Sequence, residues 1–187
     1  MTQKKQRLNC REAILDAAEF VVIKSGAAHM SLDTVARKAG VSKGGLMYHF
    51  PTKIDLLKAM VGRLVDEYHR NRANIAAQMN DTTPVGLLKA GIMLNFESDP
   101  KRDQMGCPIL AVAACAPELL DPIKKAYREH LELISRSGLK FERAAVLSLA
   151  SDGFMLNNLL GLCLFNKTQK KMILQKMLQM VDEAVNR

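Results

Sequence analysis

Apolar residues recur at steps of three and four along almost the whole chain, and no stretch alternates over strand length. That period predicts an all-α protein of about nine helices. Ile14, Ala17, Ala18, Val21 and Val22 form one stripe of a first helix, preceded by Asn9 and Glu12 at capping-box spacing and ended by Gly26. Ser31 is placed to cap a short second helix through Ala39, with Leu32, Val35, Ala36 and Ala39 on one face. Gly40 supplies a left-handed turn, and Ser42 caps a third helix, Lys43 to His49, that Pro51 stops. Thr52 and Asp55 form a second capping box, opening a fourth helix to about Met79. Thr83 precedes Pro84 as cap and first helical residue of a fifth helix to about Ser98. The polar stretch 99–106 reads as a loop. Helices are expected over 108–115, 117–136, 141–165 and 168–186, with Pro122 kinking or resetting the second of these. The domain boundary falls softly inside the fourth helix, giving residues 1–55 and 56–187.

Two short helices joined by Gly40, Val41 and Ser42 fit a helix-turn-helix. The third helix offers Leu46 and Phe50 to a core and leaves Lys43, Tyr48 and His49 outward. A recognition helix needs both faces: apolar residues dock it, and polar or aromatic ones enter the major groove. Gly44 and Gly45 cost about 1 kcal/mol each against Ala in a helix. Their missing side chains let the backbone approach a sugar-phosphate strand, or leave a frayed turn.

The net charge of +8 at a pI near 9.4 points to an acidic partner without choosing one. Its distribution chooses better, because residues 1–63 hold +6 of it. A phosphate-binding N-terminal module accounts for that bias, and a solvated basic face accounts for it more plainly. Nine Phe and Tyr with no Trp, beside 11 Met, favour helices over a β-sandwich. Cys10, Cys107, Cys115 and Cys163 have no metal or disulfide spacing and read as reduced thiols of a cytoplasmic protein. Redox sensing by Cys107 and Cys115 is a minor alternative to inert thiols. No metal or cofactor is expected: the four histidines are scattered, and no catalytic constellation or P-loop occurs. No signal peptide is expected from the Lys-rich start, and no apolar run is long enough to span a bilayer.

Residues 10–60 resemble the DNA-binding domain of the tetracycline-repressor (TetR) family. The likeness lies in Ile14-Leu15-Asp16-Ala17-Ala18, Gly26, Ser31, Val35-Ala36, Ala39-Gly40-Val41-Ser42-Lys43-Gly44, Leu46, Tyr48-His49-Phe50, Lys53 and Leu56-Leu57. The resemblance implies a dimeric, non-enzymatic transcriptional regulator, most often a repressor. It would bind double-stranded DNA at a palindromic operator and be released by a small, largely apolar ligand. The family's DNA contacts fall here on Ser31, Ser42, Lys43, Gly44, Gly45, Met47, Tyr48, His49 and Lys53. Met47 stands where many members place an aromatic residue, Val22 where the first helix often carries Phe, and Gly45 leaves one contact position bare. Lys4, Lys5 and Arg7 form a basic arm expected to be disordered without DNA. Ser42 is a helix cap with or without DNA, and Tyr48 packing under the fourth helix is as good an account as a DNA contact.

Two neighbouring apolar stripes mark the last helix: Ile173, Met177, Met180 and Ala184, then Leu174, Leu178, Val181 and Val185. One stripe suffices for docking within a subunit; the second implies another surface, commonly a two-fold dimer, or else a larger core. The dimer set is Asn158, Leu162, Ile173, Met177, Met180 and Ala184. The ligand set is Met93, Phe96, Met105, Cys107, Tyr127, Phe154 and Asn157, with Cys115 beside it. Met at helical spacing is more often core than pocket. Two further readings remain open: a helical small-molecule-binding protein, and a DNA-binding activator without ligand control.

Overall fold

The computed structural model describes residues 2–114 and 116–185, and the side chains of 9–114 and 116–184. Cys115 and the side chains of Lys4, Lys5 and Arg7 lie outside the described residues. Among the described residues there are nine α-helices and no strand: α1 (Thr2–Ser25), α2 (Leu32–Ala39), α3 (Lys43–His49), α4 (Lys53–Gln78), α5 (Pro84–Phe96), α6 (Pro100–Ala113), α7 (Asp121–Ser135), α8 (Phe141–Leu159) and α9 (Lys167–Val185). A single 3-10 turn, Pro117–Leu120, precedes α7.

Three expected boundaries move. α1 begins at Thr2, so Asn9 sits inside the helix and caps nothing. The stretch expected as a loop at 99–106 is helical from Pro100, because Asp99 acts as its cap. The Asp99 carboxylate accepts the N–H groups of Lys101 and Arg102 at 3.0 and 3.1 Å. Pro108 lies inside α6. At the other end, α8 stops at Leu159, where Gly161 at φ 68° turns the chain and Asn166 with Gln169 caps α9. Leu162 is therefore on a connection and not on a helix. Pro122 resets the start of α7 and does not kink it.

The chain divides into two compact units. The first takes in residues 1–65 and 104–124, the second 66–103 and 125–187. The boundary drawn at residue 55 falls within α4, which gives residues 53–65 to the first unit and 66–78 to the second.

In the first unit α1 packs on α2 and α3. Ile14, Leu15, Val22, Val35, Leu46 and Leu57 close its core and are essentially inaccessible to water. Met105 and Leu119 join the same core from α6 and the 3-10 turn. A charged clamp holds α1 to α4. The Arg63 guanidinium meets carboxylate oxygens of Glu12, Asp16 and Glu19 at 3.1, 2.8 and 2.7 Å. Those three bonds keep Arg63 protonated above its usual range against the opposing effect of burial.

In the second unit α5 packs on α8 and α9. Leu88, Ile92, Ile134, Leu147, Met177 and Val181 form its core. Among the described residues no helix is long and apolar enough to cross a membrane.

Candidate nucleic-acid interface

The helix-turn-helix is built by three caps and one turn. Ser31 Oγ accepts the Thr34 N–H at 3.1 Å and starts α2. Gly40 takes φ 69°, a left-handed conformation that an L side chain strains to adopt, and closes α2. Ser42 Oγ accepts the Gly45 N–H at 3.0 Å and starts α3. Thr52 and Asp55 exchange bonds at 3.1 Å in a true capping box at the start of α4. Leu46 and Phe50 anchor α3 in the core. Its other face is left open, with Tyr48 67% and Met47 43% exposed.

The expected DNA contacts are thus brought to one region of the first unit. Ser31, Ser42, Lys43, Gly44, Met47 and Tyr48 are exposed, and Gly45, His49 and Lys53 are half-buried. The Tyr48 and His49 rings meet edge-on at 5.2 Å, so each fixes the other's direction.

Both lysines already have partners. Lys43 Nζ lies 3.0 Å from an Asp33 carboxylate oxygen, and Lys53 Nζ donates to the Ala28 carbonyl at 2.7 Å. Partial burial lowers the Lys53 ammonium from its ordinary value. The Lys43–Asp33 pair is exposed, so it is weak and readily exchanged for a phosphate. Asp33 is the residue that sequence reasoning missed. It stands ten positions before Lys43, and only the turn at Gly40 brings the two together.

The glycine pair separates into two cases. A Cβ on Gly45 would sit 3.2 Å from Ser42 Oγ, so Gly45 keeps the cap close. A Cβ on Gly44 would meet nothing within 4 Å.

The expected ligand residues fall in both units. Met105 is wholly buried in the core of the first unit, and Cys107 belongs to that unit too. Met93, Phe96, Tyr127, Phe154 and Asn157 belong to the second. There Phe96 stacks on buried Phe154 with centroids 3.8 Å apart, a contact that makes them core partners. Met93 is half-buried, while Tyr127 and Asn157 reach the surface.

The dimer set also divides. Met177 is buried in the second core, and Ile173 and Ala184 pack against it. All three face this unit's own core, and so do Leu174, Leu178 and Val181 of the neighbouring stripe. Asn158 Oδ1 accepts Lys170 Nζ at 3.0 Å. Leu162 and Met180 remain at the surface. On α8, Val146, Leu149 and Leu156 are exposed as well, and none of them stands in the expected dimer set.

Residues 14–60 match the family described as bacterial regulatory proteins, tetR family. Residues 85–182, more than half the chain, match the tetracyclin repressor-like C-terminal domain. The chain is 30% identical over 95 residues to the HTH-type transcriptional repressor BepR of Brucella suis, covering 50% of this chain and 44% of that protein. It is 31% identical over 116 residues to the HTH-type transcriptional regulator RutR of Escherichia coli K12, covering 60% and 52%. The matched stretch thus spans about half the length of these relatives. A solved structure of a TetR-family member from Streptomyces coelicolor aligns with a TM-score of 0.71 at 25% identity, over 90% of this chain and 97% of that one. With both its N-terminal and C-terminal parts matched, the chain belongs to the TetR family of bacterial regulatory proteins.

Proposed function

We propose that this chain is a dimeric, ligand-responsive repressor of transcription that works in the cytoplasm. The observation that carries the reading is α3 itself. It is docked by Leu46 and Phe50, presents Met47 and Tyr48 to solvent, and is flanked by Lys43 and Lys53. In this reading Lys43, Lys53, Ser31, Ser42 and His49 meet phosphates and fix the register, while Met47 and Tyr48 touch base edges. Gly44 lets the strand approach the backbone of α3. Residues 1–55 are the reading head, and residues 56–187 bind the ligand and the second subunit. Two heads related by a two-fold axis would read a palindromic operator in successive major grooves. A ligand in the second unit releases the DNA only by preferring the state that does not bind it. Its route is α4, which contributes to both units. Repression, as against activation, is supported by the name of the similar Brucella suis protein.

The test is a gel-shift titration across salt with the DNA flanking the gene. Lys43→Ala and Lys53→Ala should each weaken binding to every sequence and reduce the salt slope by about one. Wild-type affinity in both variants at every salt concentration overturns the assignment.

A further inference from the structure

The second unit holds a polar cluster in which Arg72 and Asp152 both act on Tyr68 without forming an ion pair. Tyr68 and Arg72 stand one turn apart on α4 and both reach Gly91 of α5, with Asn95 one turn further along α5. A Cβ on Gly91 would lie 3.3 Å from the Tyr68 hydroxyl and 3.5 Å from Arg72 Cδ, so the glycine leaves room for these two side chains. Asn95 is 3% exposed. Its Nδ2 donates to Ser151 Oγ and Asp152 Oδ1, both at 3.0 Å, and Tyr127 donates its hydroxyl to the same carboxylate.

That accounting leaves two buried atoms over. Arg72 Nε, a donor, and Asn95 Oδ1, an acceptor, have no hydrogen-bond partner among the described residues. Such groups are rare in folded proteins, since a buried polar atom left unpaired loses its bond to water and gains none in return. Arg72 also forms no ion pair among the described residues, and Asp152 is bonded only by neutral donors. Arg102, the other cation close to Tyr68, is committed to the carbonyls of Leu94 and Glu97 and to Asp103. His69 and His130 are held below their ordinary value, chiefly by burial, and bring no charge at neutral pH.

The cluster therefore offers one unpaired cation, one carboxylate without a cation, and a carbonyl oxygen beside that carboxylate. Its complement is a small zwitterion that carries a carboxylate and an ammonium group side by side. Arg72 takes a carboxylate, for which guanidinium is the best-matched side chain. Asn95 Oδ1 and Asp152 take two ammonium protons. Tyr68, whose hydroxyl burial pushes up to about 12, stays neutral and donates to the carboxylate as well.

We propose that this cluster of Arg72, Asn95 and Asp152 is the effector site and that its effector is a free α-amino acid. The inference rests on the reading of the chain as a ligand-responsive regulator, and it replaces the apolar ligand expected from Met93 and Phe96.

The test is isothermal titration calorimetry of the full chain with each of the genetically encoded amino acids. For any that binds, its decarboxylated amine and its deaminated acid follow as probes. At least one amino acid should bind saturably, and both analogues should bind at least about tenfold more weakly. Arg72→Gln and Asp152→Asn, with circular dichroism to show that they fold, should each lose affinity by a similar factor. Absence of saturable binding by every amino acid overturns the proposal. So does an analogue that binds as well as its parent, a result that needs no variant to fold. A parallel gel shift separates the two readings. DNA binding without amino-acid binding removes this inference and leaves the regulator. Amino-acid binding without DNA binding keeps the site and removes the regulator.

Discussion

Gly44 and Gly45 stand side by side in the first turn of α3, yet the protein's own packing requires only the second. Gly45 is held by the cap, since a methyl group there would press on Ser42 Oγ at 3.2 Å. Gly44 faces open space, so nothing inside the chain repays its poor helix propensity. Gly44→Ala should therefore raise stability, by about 0.5–1 kcal/mol, through a less flexible unfolded chain. The same methyl group should weaken DNA binding by about tenfold or more if a phosphate strand approaches that backbone. Thermal melting and a gel shift on one preparation read both effects. A variant that is stabilised and binds DNA unchanged removes Gly44 from the interface. At this scale the sequence was readable wherever partners lie three or four residues apart, as the caps at Ser31, Ser42 and Thr52 do. It was unreadable where partners meet through the fold. Asp33 beside Lys43 and Arg63 among Glu12, Asp16 and Glu19 carry no local pattern.

Helices were legible where a cap and a breaker bracket them. α2, α3 and α4 follow the expected spans within a residue or two, because Ser31, Gly40, Ser42, Pro51 and Thr52 punctuate them. The first turns of α6 were not legible. Their polar residues resemble a loop, and the Asp99 cap together with the burial of Met105 and Ile109 makes the stretch helical. The pairing of α7 with α8 carries a pH consequence. Ser148 Oγ donates to the Ala144 carbonyl at 2.9 Å, so it accepts His130 Nε2–H, also at 2.9 Å. Burial, with help from Arg72 and His69, holds His130 below the ordinary 6.5. The unfolded histidine thus takes a proton more readily than the folded one. The stability this confers is full above pH 6.5 and is lost as the pH falls below it. Burial depresses His69 in the same direction. Asp152, raised by burial, acts in the opposite sense nearer the carboxylate range, so the comparison belongs between about pH 7.5 and pH 5.5. The melting temperature should drop over that interval, and His130→Gln should remove part of the drop. A wild-type melting temperature that holds or rises on acidification contradicts this account.

Assembly is the scale at which the sequence pattern needed the coordinates most. Two apolar stripes along α9 implied a second buried surface but did not say which residues supply it. Met177 and Val181 turn inward, and that leaves the outer face of α8. Val146, Leu149, Gly153, Leu156 and Leu160 follow one another at steps of three and four, the seam spacing of paired helices. Val146 and Leu149 are each 60% exposed and Leu156 is 43% exposed. Gly153, midway along the stripe, has nothing within 4 Å of a built Cβ, so another helix can approach closely there. Monomers rarely leave so continuous an apolar stripe in water. Leu149→Glu should therefore leave the protomer folded, since the side chain is already outside its core, and should shift sedimentation from dimer to monomer. Operator affinity should fall with it, by at least about tenfold, because two linked heads bind far more tightly than one. A Leu149→Glu protein that sediments as a dimer places the two-fold interface elsewhere. One that is monomeric and still binds the operator at full strength shows that a single head suffices, and removes the need for a palindrome.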